Sequence, residues 1–258
     1  MSGMRIERNG DVLILTIDRQ HVANALDRET MEAIGAAVCR APHDGVRTII
    51  LTGAGERFFC AGIDIKAAVA VDGKGGNSFL DIFSGVHRSV FEIIAESDVP
   101  IIAAVNGAAF GAGLELTLGC DLVLASETAT FALPEAKRGM AAHFASIMLQ
   151  RRIAPSLAMD MLLTGDPIDA SEAMRRGLVV AVMPHAGLMA AAMEKARKIS
   201  ANAPVSLRRI RRMAKRSYDM SLGAALRLDE YPNPYFSEDR VEGLRAFVEK
   251  RPPVWKGR

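Results

Sequence analysis

Residues 99–125, VPIIAAVNGAAFGAGLELTLGCDLVLA in their continuation to 125, form the most apolar stretch of the chain, yet they contain Asn106, Glu115, Asp121 and several glycines. A membrane-spanning helix needs about 20 consecutive, predominantly apolar residues with few or no charges. These interruptions direct the stretch into a protein core. A carboxylate carried into such a core is pushed by desolvation toward a neutral-range pKa, where it can take or give a proton. Glu115, in GAGLE, is such a carboxylate, and Glu135, in LPE, follows a second apolar stretch. The pair predicts an enzyme that moves protons.

The pattern around this stretch is cyclic. VLILTI (12–17) is a continuous apolar run preceded by the charged start MSGMRIERNGD, and the whole opening reads as a first strand. Asp27, with Thr30 three residues on, then opens a helical segment over 29–39 in which Met31, Ile34 and Val38 recur at helical spacing. RTIILTG (47–53) is a buried strand followed by a glycine-bearing loop. Residues 78–96 again carry apolar side chains at helical intervals. A third cycle runs from VPIIAAVNG (99–107) through a glycine-rich turn into a helix over 112–119. LVLAS (122–126) and TFALP (130–134) are further strands. Repetition of this kind predicts an α/β protein.

From about residue 146 the pattern is mainly helical, with one strand candidate at 179–183. The expected division is a core over 1–195 and a helical region over 196–258. The segment 206–218 places Leu207, Ile210, Met213 and Ala214 on one face, with Arg208, Arg209, Arg211, Arg212, Lys215 and Arg216 around the rest. Such a helix is expected to turn its charges to solvent. Without those six the chain has 26 basic and 30 acidic residues, so the basic character is local. No aromatic residue is interleaved for base stacking, which argues against a nucleic-acid partner.

Three separated cysteines, Cys39, Cys60 and Cys120, have no metal-ligand spacing and suit a reducing compartment. The start of the sequence has no long apolar segment of the signal-peptide type, so a cytoplasmic location is expected, with no membrane partner. The loop VDGKGGNS (71–78) has the composition of a mobile surface segment and is a candidate lid.

Two loops have the chemistry of a site. In FFCAGIDIK (58–66), Ala61 and Gly62 would let a ligand approach the backbone. In NGAAFGAGLE (106–115), three glycines precede a helix whose first-turn amides are unpaired and whose dipole favours developing negative charge. The order GAAFGAG is not the GxGxxG of a dinucleotide fold, and neither loop ends in GK[ST]. Taken singly, Glu115 is also explained as a first-turn helix acid, and Glu135 as a loop acid paired with Lys137 or Arg138.

The combination resembles the crotonase superfamily, the enoyl-CoA hydratase/isomerase family. The resemblance runs from about residue 6 to the end and rests on NAL (24–26), FFCAGIDIK, PIIAAVNGAAFGAGLELTLGCDLVLAS, FALPEAKRG, LTGDPIDASEAMRRGLV and SEDRVEGLRAFVEKRPP, in the family's order. It implies an α/β spiral of repeated ββα turns with a C-terminal helical region that forms a homotrimer or a dimer of trimers. It also implies an acyl-CoA thioester substrate, with no metal and no cofactor beyond the coenzyme A of the substrate. The amides of Ile63 and Ala112 would form an oxyanion hole, Ala112 standing where the family usually has glycine. Glu115 and Glu135 would be the two carboxylates that hold a water beside the substrate double bond.

The same resemblance assigns coenzyme A or substrate contacts to Ala23, Ala61, Asp64, Lys66 and Gly111, with Tyr231, Phe247 and Lys250 completing a neighbouring subunit's site. The implied activity is an enoyl-CoA hydratase, a hydro-lyase of the kind used in fatty-acid β-oxidation. Related family reactions, namely isomerase, carnitinyl-type dehydratase and hydratase-lyase, are the alternatives, together with a non-catalytic acyl-CoA or RNA-binding paralogue. Two segments depart from the family: MAAHFASIMLQRRI (140–153) replaces a glycine-rich stretch, and YPNPYF (231–236) places prolines in a usually helical segment. Both point to altered substrate selection.

Overall fold

A computed structural model describes residues 3–72, 88–229 and 231–258. Among these residues the strands are β1 (Met4–Asn9), β2 (Val12–Ile17), β3 (Thr48–Gly53), β4 (Phe58–Cys60), β5 (Ile101–Val105), β6 (Ala108–Phe110), β7 (Leu122–Ser126), β8 (Thr130–Ala132), β9 (Ile168–Asp169) and β10 (Ala181–Met183). They form two sheets, one of order β1-β2-β3-β5-β7-β10 and one of order β4-β6-β8-β9. Three times in succession the chain gives one strand to the first sheet and the next to the second: β3 then β4, β5 then β6, β7 then β8. This is the expected ββ repeat. The short strands β4 and β6 lie where the sequence reads only as glycine-rich loop, because three residues are too few to show a period of two.

The opening segment is two strands, not one. Asn9-Gly10 is a turn signal, Gly10 has φ +60°, and β1 pairs antiparallel with β2 from Met4↔Ile17 to Asn9↔Val12. Only Met4 of β1 is buried, which suits a charged edge strand. The inner strands are covered on both faces, as their unbroken apolar runs require. Ile49 and Leu51 of β3 belong to the main core, while Ile50 between them joins Val12, Ile102, Ala104 and Leu124 against a helix on the other face.

That covering helix, His185–Ser200, presents Leu188, Ala192 and Ala196 at four-residue intervals. It runs unbroken through residues 195 and 196, where the sequence reading divides core from appendage. Helix Arg28–Arg40 begins as expected, with Asp27 accepting a hydrogen bond from the Thr30 amide at 2.8 Å. Helix Val90–Glu96 starts with a reciprocal capping box between Ser89 and Glu92. The helix expected over 78–96 is not continued in Arg88 or Ser89, which precede this start; its residues 78–87, and residues 73–78 of the candidate lid, lie outside the described residues. Among the described residues, no helix is long and apolar enough to cross a membrane.

Helix Pro204–Arg216 reverses the expected orientation. Arg211 is buried and binds Asp121 at 2.7 Å, Arg212 reaches Asp98 at 2.6 Å, and Lys215 donates to the Ala95 carbonyl at 2.7 Å, whereas Ile210 is exposed. Carboxylates and carbonyl groups on the core surface hold the basic face inward. The periodicity of the helix shows its two faces but not which neighbour each will meet.

Candidate active site

Helix Ala112–Gly119 is buried along its whole length, which is why its sequence is apolar on every side. Its entry is built from glycines. Gly111 has φ +54°, and a Cβ there would lie 2.7 Å from Glu135 Oε1 and 3.9 Å from the Gly62 Cα. Gly62 has φ +110°, and a Cβ on it would lie 3.8 Å from the Ala112 nitrogen. The loop after β4, the loop after β6 and Glu135 therefore meet at one point, and only glycine fits the two closest backbone positions.

The amides of Ile63 and Ala112 border this point. Among the described residues neither donates a hydrogen bond. Ala112 is not among the residues with positive φ, so its side chain is accommodated without strain at the first turn of the helix. Ile63 is fixed by a parallel bridge to Leu26, in which the Leu26 amide donates to the Gly62 carbonyl and the Asp64 amide donates to the Leu26 carbonyl, both at 2.8 Å.

Glu115 is 2% exposed, and its Oε1 accepts from the Ala145 amide at 2.8 Å. Burial pushes its carboxyl up to about 7; the Ala145 and Phe144 amides oppose that shift, while the charge of Glu135 adds to it. Glu135 is also raised, chiefly by burial, with its own amide and Arg138 opposing, and its buried Oε2 has no hydrogen-bond partner among the described residues. Pairing with Lys137 or Arg138 is not what occupies it. Lys137 reaches Asp166 at 2.6 Å, and Arg138 donates to the Pro134 carbonyl. Two withdrawn carboxyls that interact electrostatically titrate as a pair and can share protons near neutral pH.

Several supporting residues carry no obvious signal in the sequence. Segment 140–148 forms the short helix His143–Met148, whose Ala145 amide grips Glu115 and whose Phe144 ring stacks on Phe91 with centroids 5.7 Å apart. His143 is exposed. Asn24, 1% exposed and at φ +56°, accepts from the Arg19 amide and donates to the carbonyls of Ala54 and Phe58. Asn106 also donates to the Phe58 carbonyl, so both asparagines brace the approach to β4. The NAL motif could have pointed to Asn24, since asparagine tolerates the left-handed conformation.

Of the other residues expected at the site, Ala23 and Ala61 are joined by a 3.1 Å backbone hydrogen bond beside the Gly62 loop. The Asp64 side chain is engaged by Arg19 at 3.1 Å and accepts from the Ala67 amide, where it supports the helix Ile65–Asp72. Lys66 is exposed on that helix. Tyr231 and Phe247 are 85% and 84% exposed, and Lys250 is exposed in the left-handed conformation. Within one chain these three are not part of the glutamate cluster.

Comparison with known proteins agrees with this architecture. The family model for enoyl-CoA hydratase/isomerase matches residues 7–258. A carnitinyl-CoA dehydratase of Salmonella enteritidis is 39% identical over 99% of this chain and 98% of its own length. An enoyl-CoA hydratase structure from Bacillus anthracis superposes with a TM-score of 0.91 at 31% identity, covering 99% of this chain and all of the other. One from Mycobacterium tuberculosis gives 0.89 at 31% identity, with full coverage of both chains. The chain belongs to the enoyl-CoA hydratase/isomerase family, the crotonase superfamily.

Proposed function

We propose that this protein is a hydro-lyase that reversibly adds water to a 2-enoyl-CoA, giving the 3-hydroxyacyl-CoA. The observation that carries the reading is the pair of buried carboxyls, Glu115 and Glu135, free of any ion-pair partner among the described residues and set beside the Gly62 and Gly111 loops. In this reading the thioester carbonyl accepts hydrogen bonds from the Ile63 and Ala112 amides, which draws electron density from C3 and stabilises enolate-like charge. One such donor is worth about 3 kcal/mol.

A water held between the two carboxyls gives its oxygen to C3. One carboxylate of the pair takes the water proton, and the other carboxyl supplies a proton to C2. Dehydration runs the same steps backward. Coenzyme A arrives with the substrate, and no other cofactor or metal takes part. Ala23, Ala61 and Lys66 would meet the coenzyme A portion, and Tyr231, Phe247 and Lys250 would complete the site of a neighbouring copy in a cytoplasmic homotrimer or dimer of trimers. A role in β-oxidation follows if the acyl group is a simple fatty chain.

The 39% identity to carnitinyl-CoA dehydratase favours a second reading, in which the hydroxyacyl group is carnitinyl and water is removed. The same pair and amides serve both. Assaying the purified protein with crotonyl-CoA and with carnitinyl-CoA, following formation or loss of the conjugated thioester, separates them. Turnover of neither would overturn the hydro-lyase reading.

A further inference from the structure

One side chain outside the glutamate cluster is tied to both segments that fix the Ile63 amide. Arg19 follows β2, and its side chain is 13% exposed. Its Nη2 binds Asp27 at 2.9 Å and Asp64 at 3.1 Å, and its Nη1 donates to the Ala25 carbonyl. The main chain of the same residue is held as well: the Arg19 amide donates to Asn24 Oδ1 and the Asn24 amide donates to the Arg19 carbonyl, both at 3.0 Å. Between these points the chain passes through Ala23 and Asn24, two consecutive non-glycine residues with φ of 57° and 56°. Such backbone persists only where its surroundings hold it.

The contacts of Arg19 fall on either side of the bridge between Leu26 and Ile63. Ala25 and Asp27 flank Leu26 in the chain, and Asp64 follows Ile63, so the guanidinium spans the bridge from one segment to the other. Each carboxylate is fixed by a second task. Asp27 Oδ1 accepts from the Thr30 amide at 2.8 Å and Asp64 Oδ1 from the Ala67 amide at 3.2 Å, which leaves Oδ2 of both for Arg19. Burial works to raise the Asp27 carboxyl, but the hydrogen bonds from Thr30 and the charge of Arg19 outweigh it and hold it below the usual range, so it is an anion. The two Oδ2 atoms, 2.9 and 3.1 Å from the same nitrogen, can be no more than 6.0 Å apart. Without the guanidinium, two half-withdrawn like charges would repel each other across the bridge.

We propose that Arg19 is a positioning residue for the reaction: it holds the Leu26–Ile63 bridge closed and so aims the Ile63 amide at the thioester carbonyl. The proposal rests on the reading of the Ile63 and Ala112 amides as donors to that carbonyl. A donor stabilises developing charge only where the two meet, and a misplacement of about 1 Å costs on the order of a hundredfold in rate. Lysine cannot take the place of Arg19, because two nitrogens of one planar fork serve acceptors from three residues.

Two readouts on the full chain test this. One is steady-state kinetics with whichever of crotonyl-CoA and carnitinyl-CoA the wild type turns over. The other is the infrared difference band of bound butyryl-CoA labelled with carbon-13 at the thioester carbonyl, a ligand that has no double bond to hydrate. Arg19→Gln and Arg19→Lys should lower kcat about tenfold to a hundredfold with KM changed less than about threefold. The carbonyl band, displaced to lower frequency by the wild type, should return toward its position in solution. Adding Asp64→Asn to Arg19→Gln removes one of the facing charges and should regain about threefold or more of the lost kcat. Circular dichroism and urea denaturation follow the fold, and Arg19→Lys, which keeps the charge, serves if Arg19→Gln does not fold. Lower stability with kcat and the carbonyl band unchanged overturns the proposal, as does a double variant no faster than Arg19→Gln. A wild-type band at its solution position overturns the donor reading itself, and the proposal with it.

Discussion

Glu115 and Asp121 lie near opposite ends of one buried helix, and their acidities move in opposite directions. Burial raises both. At the N-terminal end nothing cationic among the described residues answers it, two backbone amides oppose it only in part, and the Glu115 carboxyl rises to about 7. At the C-terminal end Arg211 and Lys215 outweigh burial and hold Asp121 below the usual carboxylate range. The same desolvation thus yields a proton-exchanging acid in one place and a permanent anion in the other. Which it becomes depends on whether a cation lies within reach.

The largest expected effect tests the first end. Glu115→Gln or Glu135→Gln should lower turnover by ~10²- to 10⁴-fold while leaving the fold intact, since a positioned acid or base contributes that much. Steady-state kinetics beside circular dichroism measures it, and near-normal turnover in either variant removes the pair from the mechanism. At the second end Asp121→Asn should leave turnover chemistry in place but destabilise the fold. Stripping one partner from a buried ion pair costs about 3 kcal/mol or more, which urea denaturation reads directly.

Gly111→Ala is a smaller perturbation that joins backbone and site. At φ +54° and ψ −123° alanine is strained by about 1–3 kcal/mol, and its Cβ would press on Glu135 Oε1. Activity should fall further than stability; equal losses would mean that the Gly111 turn shapes the fold alone.

The pH response sharpens the contrast. The folded Glu115 carboxyl titrates near 7 against an ordinary value of 4.5, so between these pH values the unfolded chain binds fewer protons and stability falls as pH rises. Glu115→Gln should flatten that slope. Asp121 contributes the opposite sign: its lowered pKa stabilises the fold above the ordinary value of 3.8, and this contribution is lost as acid protonates the folded carboxyl. Denaturation midpoints from about pH 2 to pH 8 in wild type and variant separate the two, the Glu115 slope lying between 4.5 and about 7 and the Asp121 loss below 3.8. The smallest effect is expected from Lys66→Ala on the exposed surface, a severalfold rise in KM for acyl-CoA with kcat unchanged.

Much of this was legible in the residues alone. The apolar runs at β2, β3, β5 and β7, the Asp27 cap, the helix over 112–119 and the two glycine loops all follow from local chemistry, because periodicity, caps and left-handed turns are properties of neighbouring residues. The resemblance of those motifs to one family then brought Ile63, Ala112, Glu115 and Glu135 into a single expectation. The placement of Glu135 Oε1 against Gly111 needed the fold, since 24 residues separate them along the chain.

What only tertiary structure decided are the relations between groups distant in sequence. The grip of the Ala145 amide on Glu115 is invisible in a segment that reads simply as a departure from the family. So is the inward turn of the arginine-rich helix, whose amphipathic pattern predicts a charged face in water. Hydrophobic spacing reports the energy of leaving water, which is local and additive. The direction of an ion pair or an amide donor depends on partners that the chain brings together only when folded. The sequence alone therefore determined that a carboxylate at 115 would be buried, and the tertiary structure determined that none of the described residues pairs it with a cation.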